Sequence, residues 1–264
     1  MKKLALVLGG GATKGYAHVG VLKVLEQHGI KPDLIVGTSM GAIIGGIYAS
    51  GLKVNDIITM SKKLSRKSFI DFNIFDAIFH SSILKGKKLR RLLKSVLGDT
   101  THLQLKIPFV AVATDLQKGS IIELSKGRVR DNIIASASIP SVYPAVKMGE
   151  RILCDGGLVN NVPDDIARKL ATDYVVLSID VIGEYSKQVE SSKLKIISRT
   201  VNALTLMQTQ ITTYNGVHSD LRINISQPDV PQMSFTTQCA ERSIQYGINS
   251  MKKNVAKLKK LLED

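Results

Sequence analysis

Tryptophan is absent and aromatic residues make up only 5% of the 264-residue chain. Platforms for single-stranded nucleic acid rely on stacked rings, so no nucleic-acid partner is expected, despite a net charge of +14. Cys154 and Cys239 are the only cysteines, too few to staple a chain this long, and read as reduced thiols of a cytoplasmic protein. No apolar run approaches the length of a membrane span. Lys2-Lys3 followed by apolar residues imitates a secretory leader, but Leu4–Leu8 is too short for its apolar core and glycines follow at once. Histidines, cysteines and carboxylates show no metal-ligand spacing, so neither metal nor cofactor is expected. With no repeat and no Pro/Gly/Ser-rich linker, residues 1–264 read as one domain.

Hydrophobic residues form 44% of the chain, enough for a large core. Leu4–Leu8 is a continuous apolar run of the kind buried in a parallel sheet. A helical stripe follows over 16–28, then a second apolar run at 34–36 and a helix over 42–49. Strand signals resume at 109–113, 120–124 and 174–181, with helices over 130–137 and from Pro163, where Asn161 is a candidate cap. The tail from 241 to 262 reads as one or two helices. This alternation predicts an α/β fold with a mostly parallel central sheet between helical layers.

Residues 52–106 read as mainly helical and more polar, a candidate cap over a site. Within them Lys87–Leu97 places five apolar residues on one stripe and Lys87, Lys88, Arg90, Arg91 and Lys94 elsewhere. A membrane-surface helix has this pattern. So does a core-facing helix with a solvated basic face, the commoner arrangement and the favoured one. The overall basic charge fits two readings equally, docking to anionic phospholipid or simple solubility.

Two glycine-flanked turns carry the chemical signal. Gly37-Thr38-Ser39-Met40-Gly41 matches G-x-S-x-G, a pattern that chance supplies in roughly one chain in ten at average composition. Its setting is more telling: an apolar strand precedes it and a helix follows, which is where the pattern makes a nucleophile elbow. The second turn, LGGGATKG over residues 8–15, again lies between strand and helix. Successive glycines let backbone N–H groups face a phosphate or an oxyanion. Nucleotide readings fail on spacing: Gly15 follows Lys14 where a P-loop needs Ser or Thr, and neither glycine register completes G-x-G-x-x-G.

A serine nucleophile needs a base. Among His18, His28, His80, His102 and His218, only His218 fits the Ser–acid–His order of α/β-hydrolases. The alternative is a carboxylate acting directly, and Asp155 stands out in RILCDGGLVNNVP, where an apolar run ends in Asp-Gly-Gly. Asp115 and Asp180 also end strands but lack flanking glycines, which suits loop hydrogen bonding.

Together these residues resemble the patatin-like phospholipase family. The resemblance rests on residues 9–15, on Gly37 to Gly41, and on Asp155-Gly156-Gly157 in that order, with YAHVGVLKVLEQHGI, PFVAVATDL and ASASIPSVYPAV in support. It covers roughly residues 3–50 and 107–182 and is faint elsewhere. It implies a Ser39–Asp155 dyad without histidine and an oxyanion hole at Gly10, Gly11 and Ala12. Gly37, Gly41, Lys14, Gly15, Gly156 and Gly157 would shape the two turns. It implies hydrolysis of fatty-acyl esters, with a lipid substrate; the basic charge suits peripheral contact with the inner face of an anionic membrane. A non-lipid esterase, a thioesterase and a catalytically weak membrane adaptor stay open beside it. The chain departs from the family at Ala12, commonly Gly, and Lys14, commonly Arg. Alanine resists a positive φ, and lysine lacks the planar fork of arginine.

Overall fold

The computed structural model describes residues 1–63, 84–183 and 195–264. His80 and much of the expected 52–106 cap lie outside the described residues. One eight-stranded sheet forms the centre, in the order β5-β6-β3-β2-β1-β7-β8, with β4 paired to β3. Its strands are β1 (Leu4–Leu8), β2 (Leu34–Thr38), β3 (Phe109–Asp115), β4 (Ser120–Leu124), β5 (Val146–Met148), β6 (Arg151–Asp155), β7 (Val175–Asp180) and β8 (Leu221–Asn224). Pairs among β3, β2, β1, β7 and β8 are parallel, whereas β4 and β6 run antiparallel to β3 and β5 antiparallel to β6. The sheet is therefore mixed, parallel through its centre.

Strand periodicity sorts the core into two layers. From β1, Leu4, Leu6 and Leu8 face α1 (Ala17–Gln27), α2 (Met40–Ala49) and the long C-terminal α8 (Thr237–Glu263). Ala5 and Val7 face the other way, where Val162 and the short α6 (Asp164–Leu170) contribute Ile166 and Ala167. Helices thus cover both faces, as the α/β reading expected. All five β1 residues are buried, which is why so uniform an apolar run is a strand here.

The remaining helices are α3 (Val54–Lys63), α4 (Lys87–Leu97), α5 (Val129–Ser136) and α7 (Lys195–Tyr214). In α4, Leu89, Leu93 and Leu97 are buried while Arg90, Arg91 and Lys94 are exposed, so it is a core-facing helix with a basic outer face. The tail is one helix rather than two, opened by Thr236 Oγ1 accepting from Cys239 N–H at 3.1 Å. Asn161 caps nothing: Pro163 occupies the N-cap of α6, with no side-chain cap bond.

The position of β3 decides where chemistry can happen. β2 pairs with its residues 109–112 and β6 with 113–115, while β4 pairs with 111–115. A strand has two edges, and β4 overlaps both partners, so β2 and β6 share the opposite edge end to end. Thr38 pairs with Val112 and Asp155 with Ala113, neighbouring residues on one strand.

Candidate active site

Ser39 follows β2 directly and opens α2 with φ 55° and ψ −120°. A non-glycine residue there stores about 1–3 kcal/mol of backbone strain, and persists only where surrounding structure imposes it. That imposition is visible. Ser39 N–H donates to Ser136 Oγ at 3.0 Å, and the Ser136 hydroxyl donates onward to the Val112 carbonyl of β3 at 2.6 Å. Thr38 Oγ1 donates to the Asn160 carbonyl at 3.1 Å. On the helical side, Ile43 N–H reaches the Ser39 carbonyl at 3.0 Å. A Cβ on Gly41 would run into the Leu8 carbonyl, so only glycine lets α2 close onto β1. Gly37 sits under the same turn, against Gly41 and Ala42.

Asp155 ends β6 on the same edge of β3. Its backbone is tied by Asp155 N–H to the Ser138 carbonyl at 2.9 Å and by Thr114 Oγ1 to the Asp155 carbonyl at 3.0 Å. Gly156 lies flat against Val112 and leaves no room for a side chain. Asp155 Oδ1 accepts from Gly157 N–H at 2.8 Å, whereas Oδ2 is buried without a partner among the described residues. Burial pushes the carboxyl up to about 6, partly opposed by the Ser39 hydroxyl and the Gly157 N–H. The hydroxyl is close enough to favour the carboxylate without closing a bond to Oδ2. A buried carboxylate with one free oxygen beside a strained serine is an arrangement that can accept a proton near neutral pH.

The glycine loop lies over this pair: a Cβ on Gly10 would be 3.2 Å from Ser39 Cβ and 2.5 Å from Asn161 Oδ1. The expected trio of oxyanion donors needs one correction. Gly10 N–H is committed to the Asn161 carbonyl at 3.0 Å, so it does not point at an incoming oxygen. Gly11 and Ala12 N–H find no acceptor among the described residues. Ala12 holds φ 46°, in the left-handed region, so the position does ask of alanine what glycine gives more easily. Thr13 N–H to the Gln232 carbonyl at 3.0 Å and Lys14 N–H to the Gly11 carbonyl at 3.0 Å hold that conformation.

Lys14 is anchored by its backbone. Its carbonyl accepts from Gln227 Nε2 at 2.9 Å and Ser243 Oγ at 2.8 Å. Burial lowers the ammonium pKa, and Asp180 raises it in part. Gly15 meets the Met40 side chain, which joins the loop to the elbow, and Gly157 lies beside Asp155, Asn161 and Gln208.

Several supporting residues were given no role by sequence reasoning: Ser136, Ser138, Thr38, Thr114, Gln208 and His18. The first two stand in ASASIPS, whose small polar residues inside an apolar context were the available signal. His18 is buried, with Nε2 on the Gly9 carbonyl at 2.8 Å, and burial drops its pKa to about 4, so it braces the loop as a neutral ring. His218 is not brought into this constellation. It lies on the segment entering β8, its Nε2 bonds the Asn215 carbonyl at 2.9 Å and its N–H bonds Asp164. Asp115 and Asp180 accept loop N–H bonds, from Gln117 and from Ile182 and Gly183, as strand-end carboxylates were expected to. Among the described residues no group of three or more His, Cys, Asp or Glu is placed to hold a metal.

The Patatin-like phospholipase family model matches residues 6–168, well over half of the chain, and the protein belongs to that family. An uncharacterized NTE family protein of Mycobacterium tuberculosis is 34% identical over 161 residues, covering 61% of this chain and 44% of that protein. Lysophospholipase NTE1 of Candida albicans is 31% identical over 180 residues, 67% of this chain and 13% of that protein. The chain therefore spans less than half the length of these relatives. In fold it is similar to VipD from Legionella pneumophila, with a TM-score of 0.57 at 15% identity, covering 96% of this chain and 66% of that one.

Proposed function

We propose that the protein is a serine acyl hydrolase that cleaves fatty-acyl esters of phospholipids, lysophospholipids or related lipids. The observation that carries this reading is the meeting of Ser39, held at φ 55°, with the buried carboxyl of Asp155 at one edge of β3. Ser39 Oγ attacks the ester carbonyl while its proton passes to Asp155 Oδ2. The carbonyl oxygen becomes an oxyanion facing the N–H groups of Gly11 and Ala12. Removal of one such donor in other enzymes costs about 10²–10³ in kcat, so these two groups supply much of the rate. Collapse expels the alcohol, which takes the proton back from Asp155 and leaves an acyl-serine. Water then gives a proton to Asp155 and attacks the acyl carbon; collapse releases the fatty acid as Asp155 passes that proton to Ser39 Oγ, restoring both residues. An unperturbed Asp near 3.9 is a feeble base, and the shift to about 6 makes the transfer less uphill.

The lipid substrate is supported by the family and by the lysophospholipase name of the Candida albicans relative. A net charge of +14 favours docking of the chain to an anionic bilayer from outside. No described helix is long and apolar enough to cross one. The test is hydrolysis of a lipid panel by wild type and Ser39→Ala, with products identified by mass. Release of fatty acid by wild type alone is expected; equal release by both would refute the proposal.

A further inference from the structure

Asn161 joins the glycine loop to the turn after Asp155 although 151 positions separate it from Gly10. Its carbonyl accepts Gly10 N–H at 3.0 Å and its Nδ2 donates to the Gly10 carbonyl at 3.4 Å, so one residue grips the two peptide groups that flank the Gly10 Cα. The preceding residue is tied as well, Asn160 accepting from the hydroxyl of Thr38 beside the elbow serine. The LVNNVP segment therefore touches all three turns of the candidate site.

Asn161 is 97% buried, and its Oδ1 has no hydrogen-bond partner among the described residues. That oxygen lies against Gly10 and, like Asp155 Oδ1, stands 3.0 Å from the point a Cβ on Gly157 would occupy. The two oxygens are thus at most about 6 Å apart, within the range over which neighbouring charges shift a carboxyl. Buried acceptors without partners are rare in native proteins because they destabilise. A residue kept only for packing would be better replaced by an apolar side chain of similar shape. What asparagine alone supplies here is a donor for Gly10 together with a neutral end beside the acid.

We propose that Asn161 is a positioning residue for acyl transfer: it fixes Gly10 so that Gly11 and Ala12 aim their N–H groups over Ser39, and holds that loop in register with Asp155. The inference rests on the Ser39–Asp155 reading. It explains why Gly10, first of the expected donors, has its N–H turned away: the peptide is the fixed end from which the next two residues project.

Asn161→Ala removes the donor to Gly10 and adds no charge, while the backbone bond from Gly10 stays. Asn161→Asp is isosteric and places a second carboxyl beside Asp155. With p-nitrophenyl butyrate as probe, Asn161→Ala is expected to lose about tenfold or more in kcat with KM within about twofold, since the loop acts on the transition state. Asn161→Asp is expected to lose at least as much, and to move the acid limb of its pH–rate profile upward by about one unit, because two neighbouring carboxyls resist joint ionisation. A kcat for folded Asn161→Ala within twofold of wild type would overturn the proposal. Should that variant fail to fold, an unmoved acid limb in Asn161→Asp would overturn it. Wild type that neither hydrolyses the probe nor takes a fluorophosphonate on Ser39 would overturn the dyad itself. An active wild type beside unaffected Asn161 variants would overturn only the role of Asn161.

Discussion

Replacing Asp155 with asparagine should abolish hydrolysis and, above pH 6, relieve the fold of a buried charge. The carboxyl rises from 3.8 to about 6 chiefly through burial. A carboxyl whose folded pKa is raised takes up its proton more readily folded than unfolded. Wild-type stability from this group is therefore full below about pH 4 and falls as pH climbs through 6. At 1.36 kcal/mol per unit the decline is about 3 kcal/mol. Asparagine has no titration in this window and keeps an oxygen for Gly157 N–H, although its amide would take the place of the unpartnered Oδ2. That orphaned donor carries a penalty of about 1–3 kcal/mol, independent of pH. The informative quantity is thus the difference between the two proteins as a function of pH. Part of the decline is already complete at pH 4.5, so urea denaturation at pH 4.5, 5.5 and 7.5 should show the variant gaining on wild type by about 2 kcal/mol across the series. In thermal melts this is roughly 4–8 °C for a chain of this size. A constant gap from pH 4.5 to 7.5 would mean that Asp155 is not desolvated, and would remove the physical basis for its acting as base.

Ala12→Gly should retain activity and change stability by less than about 1 kcal/mol, because relief of the left-handed alanine is offset by the greater unfolded freedom of glycine. A kcat rise above tenfold in that variant would show that alanine misshapes the hole. Ser136→Ala removes the hydroxyl that bridges Ser39 N–H to Val112 and should destabilise by about 1–3 kcal/mol in denaturant titrations, with a fall in kcat as the elbow loosens. An unchanged melt and rate would refute that role. His218→Ala should leave kcat and its pH dependence unchanged in steady-state assays, since its ring bonds Asn215 instead; a large loss would restore a histidine triad.

The α/β plan was legible because parallel strands buried on both faces write themselves as unbroken apolar runs. Leu4–Leu8 has the expected bounds for that reason, and Ser120–Leu124, antiparallel and only half-buried, has them from its own short run. Strand ends were less so. β2 continues to Thr38 and β3 to Asp115, through residues whose polarity resembles a loop but whose side chains brace neighbouring turns. β5 and β8 are three and four residues long and part-exposed, too short for a period to show. In α7 threonines and glutamines interrupt the apolar stripe, and no helix was expected there. The candidate site was readable as three motifs but not as a geometry. Nothing local to GTSMG or CDGG states that β2 and β6 meet on one edge of β3. Nor does the glycine loop reveal that Gly10 answers to Asn161, a backbone contact between distant segments.

The most direct measurement is the pH dependence of fluorophosphonate labelling, with the adduct mapped by mass. Labelling on Ser39 whose rate rises with a pKa near 6, and is lost in Asp155→Asn but kept in His218→Ala, is the expected result. An adduct at another residue, or an undiminished rate in Asp155→Asn, would contradict a Ser39–Asp155 dyad.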